Sequence, residues 1–265
     1  IKITIYRVAK DSQVMHSLIN AAMNGKEVTA VLELRARFDE SNNAMWSKKL
    51  QEAGVNVIFG VPGLKVHSKI GYIERKPEGM LAQKYVFIST GNFHAGTAKI
   101  YTDYTYFTTN PGITKDVEQI FKFFGANYLN LTYNHLLVSP YGTRKKIVKM
   151  IKREIKNHQA GLPAEINMKL NSLSDKQIID LLYKASQKGV KVRLVVRGIN
   201  CLIPGVKNLS ENIECVSVID KFLEHPRVYW FKNAGDDKVY ISSADMMERN
   251  LDNRVEVACP IYDHK

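Results

Sequence analysis

The sequence lacks any apolar run long enough to cross a bilayer. A transmembrane helix needs roughly 18 to 20 uninterrupted apolar residues, and no segment of the 265 residues approaches that length. The opening segment, IKITIYRVAKDS, also lacks the apolar core and small-residue cleavage site of a signal peptide. Cysteine is scarce, with Cys201, Cys215 and Cys259 standing in apolar contexts without metal-ligand spacing. These absences predict a cytosolic protein whose cysteines are reduced core thiols.

Acidic residues are few beside basic ones. The chain has 38 lysines and arginines against 26 aspartates and glutamates, which gives a formal net charge of +12. Such a surplus favours polyanionic partners, namely nucleic acid, a phospholipid surface or polyphosphate, without choosing among them. Hydrophobic residues make up 45% of the chain, an ordinary content for a globular protein with a core. Because the chain begins with Ile1 and enters a strand at once, we expect it to be a fragment of a longer protein.

Strand-like and helix-like segments alternate along the chain. The first half offers the strands KITIYRV, EVTAVLEL and VNVIFG, separated by the helical segments DSQVMHSLINAAMNGK and ESNNAMWSKKLQEAG. Two neighbouring strands, KVHSKIGYIE and KYVFISTGNF, follow them. This alternation is typical of an α/β protein whose strands are buried on both faces.

The second half repeats the order of the first. LSDKQIIDLLYKASQKGVKVRLVVRG has the helix, turn and strand of VMHSLINAAMNGKEVTAVLELRA, and EHPRVYWFK matches VHSKIGYIE. The pattern restarts near LNLTYNHLLVSPYGTRKK, so we predict two α/β domains, residues 1–134 and 135–265. The basic helix that follows, RKKIVKMIKREIKNHQAG, is interpreted as a helix with a solvated lysine face, or alternatively as a contact for a polyanion.

A histidine and a cation stand two residues apart in each half. His67 and Lys69 share one face of a strand, since side chains two apart on an extended chain point the same way. The repeat places His225 and Arg227 at the same positions. If the halves pack about a pseudo-twofold axis, these four residues meet at one site. Two histidines would supply a nucleophile and an acid or base for phosphoryl transfer, and the cations would neutralise phosphate oxygens.

The turns STGN and SSAD occupy matching places after the next strand of each half. Their small hydroxyl residues and amides could hold the same phosphates, which makes Asn92 a candidate contact. Asn92 and its counterpart Asp245 could equally be turn caps. Asp103 and Glu256 could orient the histidines through a ring nitrogen or pair with arginines. The remaining histidines considered, His16, His94, His135 and His158, lack a repeated partner and are interpreted as background.

Long motifs in both halves resemble those of the catalytic C-terminal region of type 1 polyphosphate kinases. They are YRVAKDS, LELRARFDE, GVPGLKVHSKI, TGNFHAGTAKIYTDYT, LLVSP, LVVRGINCLIPGV, FLEHPRVYWF and VYISSADMMERNLDNRVEVACP. The resemblance covers nearly the whole chain. It implies two tandem phospholipase D-like α/β domains with mixed sheets flanked by helices. It also implies further domains before residue 1 and a tail beyond Lys265.

The resemblance implies roles for individual residues. The histidine of KVHSK, His67, matches the position that carries the phosphate as phosphohistidine, and His225 matches a second essential histidine that assists transfer and contacts ATP. Tyr101 and Arg197 match nucleotide-contacting positions. Two arginines match positions assigned to magnesium, Arg7 and Arg37. Because a guanidinium only donates hydrogen bonds, we expect those two to hold phosphate oxygens that also bind Mg²⁺.

The activity implied is reversible transfer of the γ-phosphate of ATP to polyphosphate. The implied partners are ATP or ADP with Mg²⁺, polyphosphate and further copies of the full-length chain, with no specific nucleic acid. The expected location is the cytoplasm, with peripheral association at the inner face of the membrane. Two alternatives stay open at this point: a phospholipase D-like phosphodiesterase or nuclease, and a non-enzymatic module that binds polyanions. Arg227 in place of a second lysine breaks the symmetry expected of a phosphodiesterase.

Overall fold

A computed structural model describes residues 1–33, 40–129 and 131–262. The chain forms two compact units, Ile1–Leu136 and Leu137–Lys265. No helix among the described residues combines the length and the apolar composition required to cross a membrane.

The first unit is built on a six-stranded sheet in the order β3-β2-β1-β5-β6-β8. Strands β1, β2 and β3 are parallel, and β1, β5, β6 and β8 pair antiparallel. The strands are β1 Lys2–Ile5, β2 Thr29–Leu32, β3 Asn56–Phe59, β4 Lys65–Val66, β5 Lys69–Arg75, β6 Gln83–Ser89, β7 Tyr101–Thr102 and β8 Thr105–Thr108. The helices are α1 Gln13–Met23, α2 Glu40–Glu52, α3 Ala95–Ala98 and α4 Pro111–Gly125.

Local signals explain where these helices begin and end. The Ser12 side chain accepts a hydrogen bond from the Met15 amide at the start of α1, and Gly25, with φ of 72°, turns the chain after its end. Asn110 caps α4 by accepting from the amides of Gly112 and Ile113. The small polar residues of the sequence therefore mark the helix boundaries.

The second unit contains one sheet in the order β12-β11-β10-β14-β15-β16-β9. Its strands are β9 Leu137–Ser139, β10 Glu165–Leu170, β11 Lys191–Val196, β12 Ile213–Val216, β13 Leu223–Glu224, β14 Arg227–Phe231, β15 Lys238–Ser242 and β16 Arg254–Ile261. Its helices are α5 Thr143–Gln159, α6 Lys176–Gln187 and α7 Glu248–Asp252, with a 3₁₀ turn at Asn233–Gly235.

The internal repeat holds in strand order and in register. Strands β10, β11 and β12 are parallel, as β1, β2 and β3 are, and β14, β15 and β16 repeat the antiparallel β5, β6 and β8. Lys69 at the start of β5 pairs with Ser89, and Arg227 at the start of β14 pairs with Ser242. The prediction of two repeated α/β units with mixed sheets is confirmed.

The basic helix α5 has one buried apolar face. Ile147, Ile151 and Ile155 pack into the core of the second unit. The lysines on its other side are exposed, namely Lys145, Lys149, Lys152 and Lys156. This arrangement fits the interpretation of α5 as a core helix with a solvated lysine face.

The three cysteines are free thiols in different surroundings. Cys259 is buried and Cys215 is half-buried, but Cys201 is exposed. The prediction that Cys201 is a core thiol is therefore wrong. Its apolar neighbours Ile199 and Ile203 are 58% and 64% exposed, because the loop after β11 leaves these side chains outside the core.

Candidate functional site

His67 lies in the first unit, between β4 and β5, where the backbone is held on both sides. Thr4 on β1 donates its hydroxyl to the Ser68 carbonyl at 2.8 Å and accepts the Ile70 amide at 3.0 Å. Lys69 is almost fully buried, and its Nζ donates to the carbonyl oxygen of His67. These bonds fix the main chain under the imidazole, as a nucleophile requires.

The aromatic ring beside His67 belongs to Tyr6, which follows β1. The two rings meet edge to face, with centroids 4.7 Å apart and planes at 81°. Three cationic groups also lie near the Tyr6 ring: Lys69 Nζ at 5.2 Å, Lys65 Nζ at 5.5 Å and Arg7 Cζ at 5.7 Å from its centroid. Such distances are typical of cation–π contacts. The structure thus gathers the predicted residues His67, Lys69 and Arg7 around one buried tyrosine.

Sequence reasoning missed Tyr6. The available signal was its position at the carboxyl end of the first parallel strand, where ligand sites of α/β proteins gather. The family resemblance points to its neighbour Arg7, but the sequence shows Tyr6 only as part of the predicted strand KITIYRV.

His225 and Arg227 form the matching arrangement in the second unit. His225 lies between β13 and β14 and is 8% exposed, and Arg227 is 5% exposed. The Nη1 of Arg227 donates to the carbonyl oxygen of His225 at 3.0 Å, as Lys69 Nζ does to His67. The same Nη1 also lies 3.0 Å from Nε2 of the His225 ring. In both units the cation two residues after the histidine therefore folds back onto it.

Arg227 forms a buried ion pair with Asp245. Its Nε and Nη2 donate to the two carboxylate oxygens at 3.3 and 3.0 Å. The amides of Asn171 and Ser172 also donate to Asp245, at 2.7 and 3.1 Å. Burial alone would raise the pKa of Asp245, but the charge and hydrogen bonds of Arg227, with the two amides, hold that pKa below its usual range. Asp245 is thus an ionised anchor for Arg227.

Arg197 reaches the same cluster through Asn171. The Arg197 Nε donates to Asn171 Oδ1 at 2.5 Å, and Asn171 Nδ2 donates to the His225 carbonyl at 3.0 Å. The side chain of Asn171 therefore bridges Arg197 and the main chain of His225.

Asn171 stands where Tyr6 stands in the first unit. Ile3 pairs with Gly71, two residues after Lys69, and Met168 pairs with Tyr229, two residues after Arg227. Three residues further on, Tyr6 and Asn171 hold equivalent positions. An aromatic ring thus accompanies one histidine and a hydrogen-bonding amide the other.

The two polar turns are built alike. Thr90 donates its hydroxyl to Asp103 at 2.6 Å, and Ser243 donates to Glu256 at 2.5 Å. Each hydroxyl also accepts a backbone amide from the residue after that carboxylate, at 3.0 Å and 3.1 Å. Asp103 and Glu256 are therefore equivalent acceptors that fix their turns.

The other predicted residues have the following places. Asn92 is the last residue of the first turn, and its buried Oδ1 has no hydrogen-bond partner within the described part of the chain. Tyr101 begins β7 and is half-buried. Arg37 lies outside the described residues.

A metal held by side chains alone does not fit the part of the chain that the structure describes. In residues 1–33, 40–129 and 131–262, no group of three or more histidine, cysteine or carboxylate side chains is placed to hold an ion. The guanidinium of Arg7 is a donor only. Arg7 could therefore contribute to an ion site only through phosphate oxygens that it holds.

Models of two protein domains match the chain. Residues 1–130 match polyphosphate kinase C-terminal domain 1, and residues 136–265 match polyphosphate kinase C-terminal domain 2. The chain belongs to the polyphosphate kinase family. Both models belong to that family, and together they leave only the short connection between the units unmatched.

Relatives in the polyphosphate kinase family match over nearly the full chain. The polyphosphate kinase of Escherichia coli K12 is 52% identical over 263 residues, which are 99% of this chain and 38% of that protein. A crystal structure of polyphosphate kinase from Porphyromonas gingivalis superposes with a TM-score of 0.89 at 40% identity, covering 99% of this chain and 43% of that one. The chain thus spans about two fifths of the length of these relatives.

A more distant structure shares the fold alone. A mutant of yeast tyrosyl-DNA phosphodiesterase has a TM-score of 0.54 at 9% identity, covering 97% of this chain and 80% of that one. Within this chain, each unit has its own cluster of a histidine and cationic side chains. The expected meeting of the two clusters at one site stays a prediction.

Proposed function

We propose that this chain is the catalytic part of a polyphosphate kinase that transfers the γ-phosphate of ATP to polyphosphate through a phosphohistidine at His67. The observation that carries the proposal is the setting of His67. Thr4 and Lys69 hold its backbone, and its imidazole meets the ring of Tyr6 edge to face. The ammonium groups of Lys65 and Lys69 lie close to the Tyr6 ring. Membership of the polyphosphate kinase family supports the same reading.

The cationic surroundings suit phosphoryl transfer. The transition state spreads negative charge over the oxygens of the transferred group, so positioning and positive charge supply most of the catalysis. Lys69 and Lys65 provide ammonium groups, and Arg7 provides a fork that can grip two phosphate oxygens. We assign these three residues to the phosphate oxygens near His67.

The proposed reaction has two steps. A ring nitrogen of His67 attacks the γ-phosphorus of ATP, a nitrogen–phosphorus bond forms, and the bond to the bridging oxygen breaks so that ADP leaves. A terminal oxygen of polyphosphate then attacks the phosphohistidine, and the nitrogen–phosphorus bond breaks. We assign His225 and Arg197 to the substrate phosphates and nucleotide, with Tyr101 and Asn92 as further nucleotide contacts.

Magnesium is assigned to the substrate rather than to the protein. We propose that Mg²⁺ enters on the phosphates of ATP and that Arg7 holds oxygens of the same phosphates; Arg37 is assigned with it on the family resemblance. Self-association of the full-length protein, its cytoplasmic location and its peripheral contact with a membrane stay predictions.

The test is covalent labelling of the complete protein that carries this chain. Incubation with ATP labelled at the γ-phosphate, together with Mg²⁺, should give a label that is stable in base and labile in acid, as expected of phosphohistidine. Peptide mapping should place it on His67. His67→Ala should lose the label, and His16→Ala is the matched control because His16 is more than half exposed and pairs with Asp11 at the surface.

Three outcomes separate the alternatives. Label retained in His67→Ala would refute the assignment of the nucleophile. Release of phosphate monoesters from diesters without ATP would identify a phosphodiesterase instead. Binding of polyphosphate without labelling or turnover, unchanged in His67→Ala and His225→Ala, would identify a binding module.

A further inference from the structure

The contact between Arg227 and the ring of His225 determines where the imidazole proton lies. Arg227 Nη1 is 3.0 Å from His225 Nε2, and the same nitrogen donates to the His225 carbonyl. A guanidinium has five N–H donors and no acceptor, and it stays protonated in proteins. The ring nitrogen that faces it must therefore be the acceptor. A neutral histidine with an accepting Nε2 carries its proton on Nδ1.

The position of the guanidinium is itself fixed. Its other two nitrogens bind both oxygens of Asp245, which is 6% exposed and receives two further amide hydrogen bonds. The His225 carbonyl is held in addition by Asn171 Nδ2 at 3.0 Å. Arg227 is therefore tied at one end to a buried carboxylate and at the other to both the main chain and the ring of His225. Rotation of the fork away from Nε2 would break several of these bonds at once.

We infer that Arg227, anchored by Asp245, is a positioning residue that locks neutral His225 in the tautomer protonated at Nδ1. Because Arg227 occupies the lone pair of Nε2, that nitrogen is not available to attack phosphorus or to take a proton while the contact lasts.

The catalytic consequence, which rests on the proposed function, is a division of labour between the two histidines. With Nε2 covered by Arg227, His225 would not carry the phosphoryl group. In the first unit the equivalent cation, Lys69, is a single ammonium that donates to the His67 carbonyl, and the position of Asp245 is occupied by the uncharged Asn92. The second unit thus has an ion pair, Arg227 with Asp245, at positions where the first unit has Lys69 and Asn92.

Nitrogen-15 NMR of the complete protein with labelled histidine tests the tautomer directly. Spectra recorded at about pH 9, well above the ordinary histidine pKa, report which ring nitrogen is protonated. His225→Gln identifies the His225 signals by their loss. We expect Nδ1 of His225 to be the protonated nitrogen and Nε2 the unprotonated one. A proton on Nε2 in the unmodified protein would overturn the inference.

Variants separate the lock from general folding. Arg227→Met would leave Asp245 as a buried unpaired carboxylate, so the double variant Arg227→Met/Asp245→Asn is measured beside it. Without the guanidinium, we expect the Nε2–H tautomer preferred by free histidine to replace the Nδ1–H tautomer as the main species. The matched control is Arg193→Met, which removes a half-exposed arginine from the same sheet. An unchanged His225 signature in a folded double variant would refute the lock.

The measurement needs no ATP and no turnover. Loss of His67 labelling with an intact Nδ1–H signature would therefore count against the proposed function alone, whereas an Nε2–H signature with normal labelling would count against this inference alone.

Discussion

The ring of Tyr6 lies edge-on to the imidazole of His67, with the centroids 4.7 Å apart. Edge-to-face pairs are worth about 0.5–1.5 kcal/mol beyond their buried area, and three cationic groups lie within 6 Å of the same ring. Tyr6 is therefore placed to hold both the proposed nucleophile, His67, and the cations around it.

Replacing this ring should impair phosphorylation of His67. We expect Tyr6→Leu to slow labelling by about tenfold, since the edge contact and the cation–π contacts are both lost. Tyr6→Phe keeps the ring and should stay within about twofold of the unmodified protein. Single-turnover labelling of the two variants, with thermal unfolding recorded for each, measures the effect. Equal rates for Leu and Phe would contradict a role for the aromatic ring.

The ion pair between Arg227 and Asp245 should dominate the local stability of the second unit. Asp245→Asn leaves a buried guanidinium without its counter-charge, which costs about 3–5 kcal/mol of unfolding free energy. The pKa of Asp245 is lowered in the folded protein, so the unfolded chain binds the proton more readily. The stabilisation is therefore present above the ordinary aspartate pKa of 3.8 and is lost as the pH falls through the folded value. Denaturant unfolding across this acidic range measures it.

The control for that prediction is Asp180→Asn. Asp180 pairs with Lys176 at 2.6 Å, but both side chains are more than half exposed. Such a pair contributes about 0.5 kcal/mol or less. Equal losses of unfolding free energy for Asp245→Asn and Asp180→Asn would show that the buried ion pair does not dominate the stability of the second unit.

The paired histidines could be predicted from sequence because their signal is local and repeated. Two residues of a strand that face the same way, such as His67 and Lys69, are recognisable by spacing alone. The structure then pairs Lys69 with Ser89 and Arg227 with Ser242, at equivalent places in the two repeats.

The surroundings of the histidines could not be predicted in the same way. Tyr6 and Asn171 reach their histidines only because β1 and β10 lie beside β5 and β14 in the sheets, a long-range pairing that no local pattern specifies. The ion pair of Arg227 with Asp245 likewise joins residues 18 apart in sequence. The sequence offers Asp245 as a turn cap or part of a phosphate-holding turn and Arg227 as a phosphate contact. It does not reveal their ion pair, because a buried partner and an exposed ligand require the same residue types.

The pH dependence of stability that Glu154 on α5 contributes should have the opposite sign to that of Asp245. The residue is fully buried, and its carboxylate accepts the amides of Glu165 at 3.2 Å and Asn233 at 2.8 Å. Burial raises its pKa above the ordinary 4.5 despite these bonds. The folded protein thus holds the proton more tightly than the unfolded chain, so this contribution to stability falls as the pH rises from 4.5 through the folded value.

Glu154→Gln should remove this pH dependence of the free energy of unfolding. The buried amide group should lower that free energy by an amount that does not change with pH. The free energy of unfolding of the unmodified protein minus that of the variant should therefore decrease as the pH rises through this range. Glu211→Gln, at an exposed position, is the matched control for the substitution itself. A difference for Glu154→Gln that rose with pH would show that hydrogen bonding, not burial, controls the carboxyl group.

Gly91 should not tolerate a methyl group, although its counterpart in the second turn is an alanine. A Cβ on Gly91 would lie 2.0 Å from Oδ2 and 2.2 Å from Cγ of Asp103. Asp103 would have to move and would lose its 2.6 Å bond from Thr90. We expect Gly91→Ala to lower the free energy of unfolding by about 1–3 kcal/mol, the usual range for overpacking. It should also weaken labelling of His67 by displacing the turn beside Lys69.

In the second turn the equivalent Ala244 accompanies the longer Glu256, so Ala244→Gly should cost about 1 kcal/mol or less. Thermal unfolding of both variants gives the comparison, and a smaller loss for Gly91→Ala than for Ala244→Gly would mean that the Asp103 carboxylate can relax without cost.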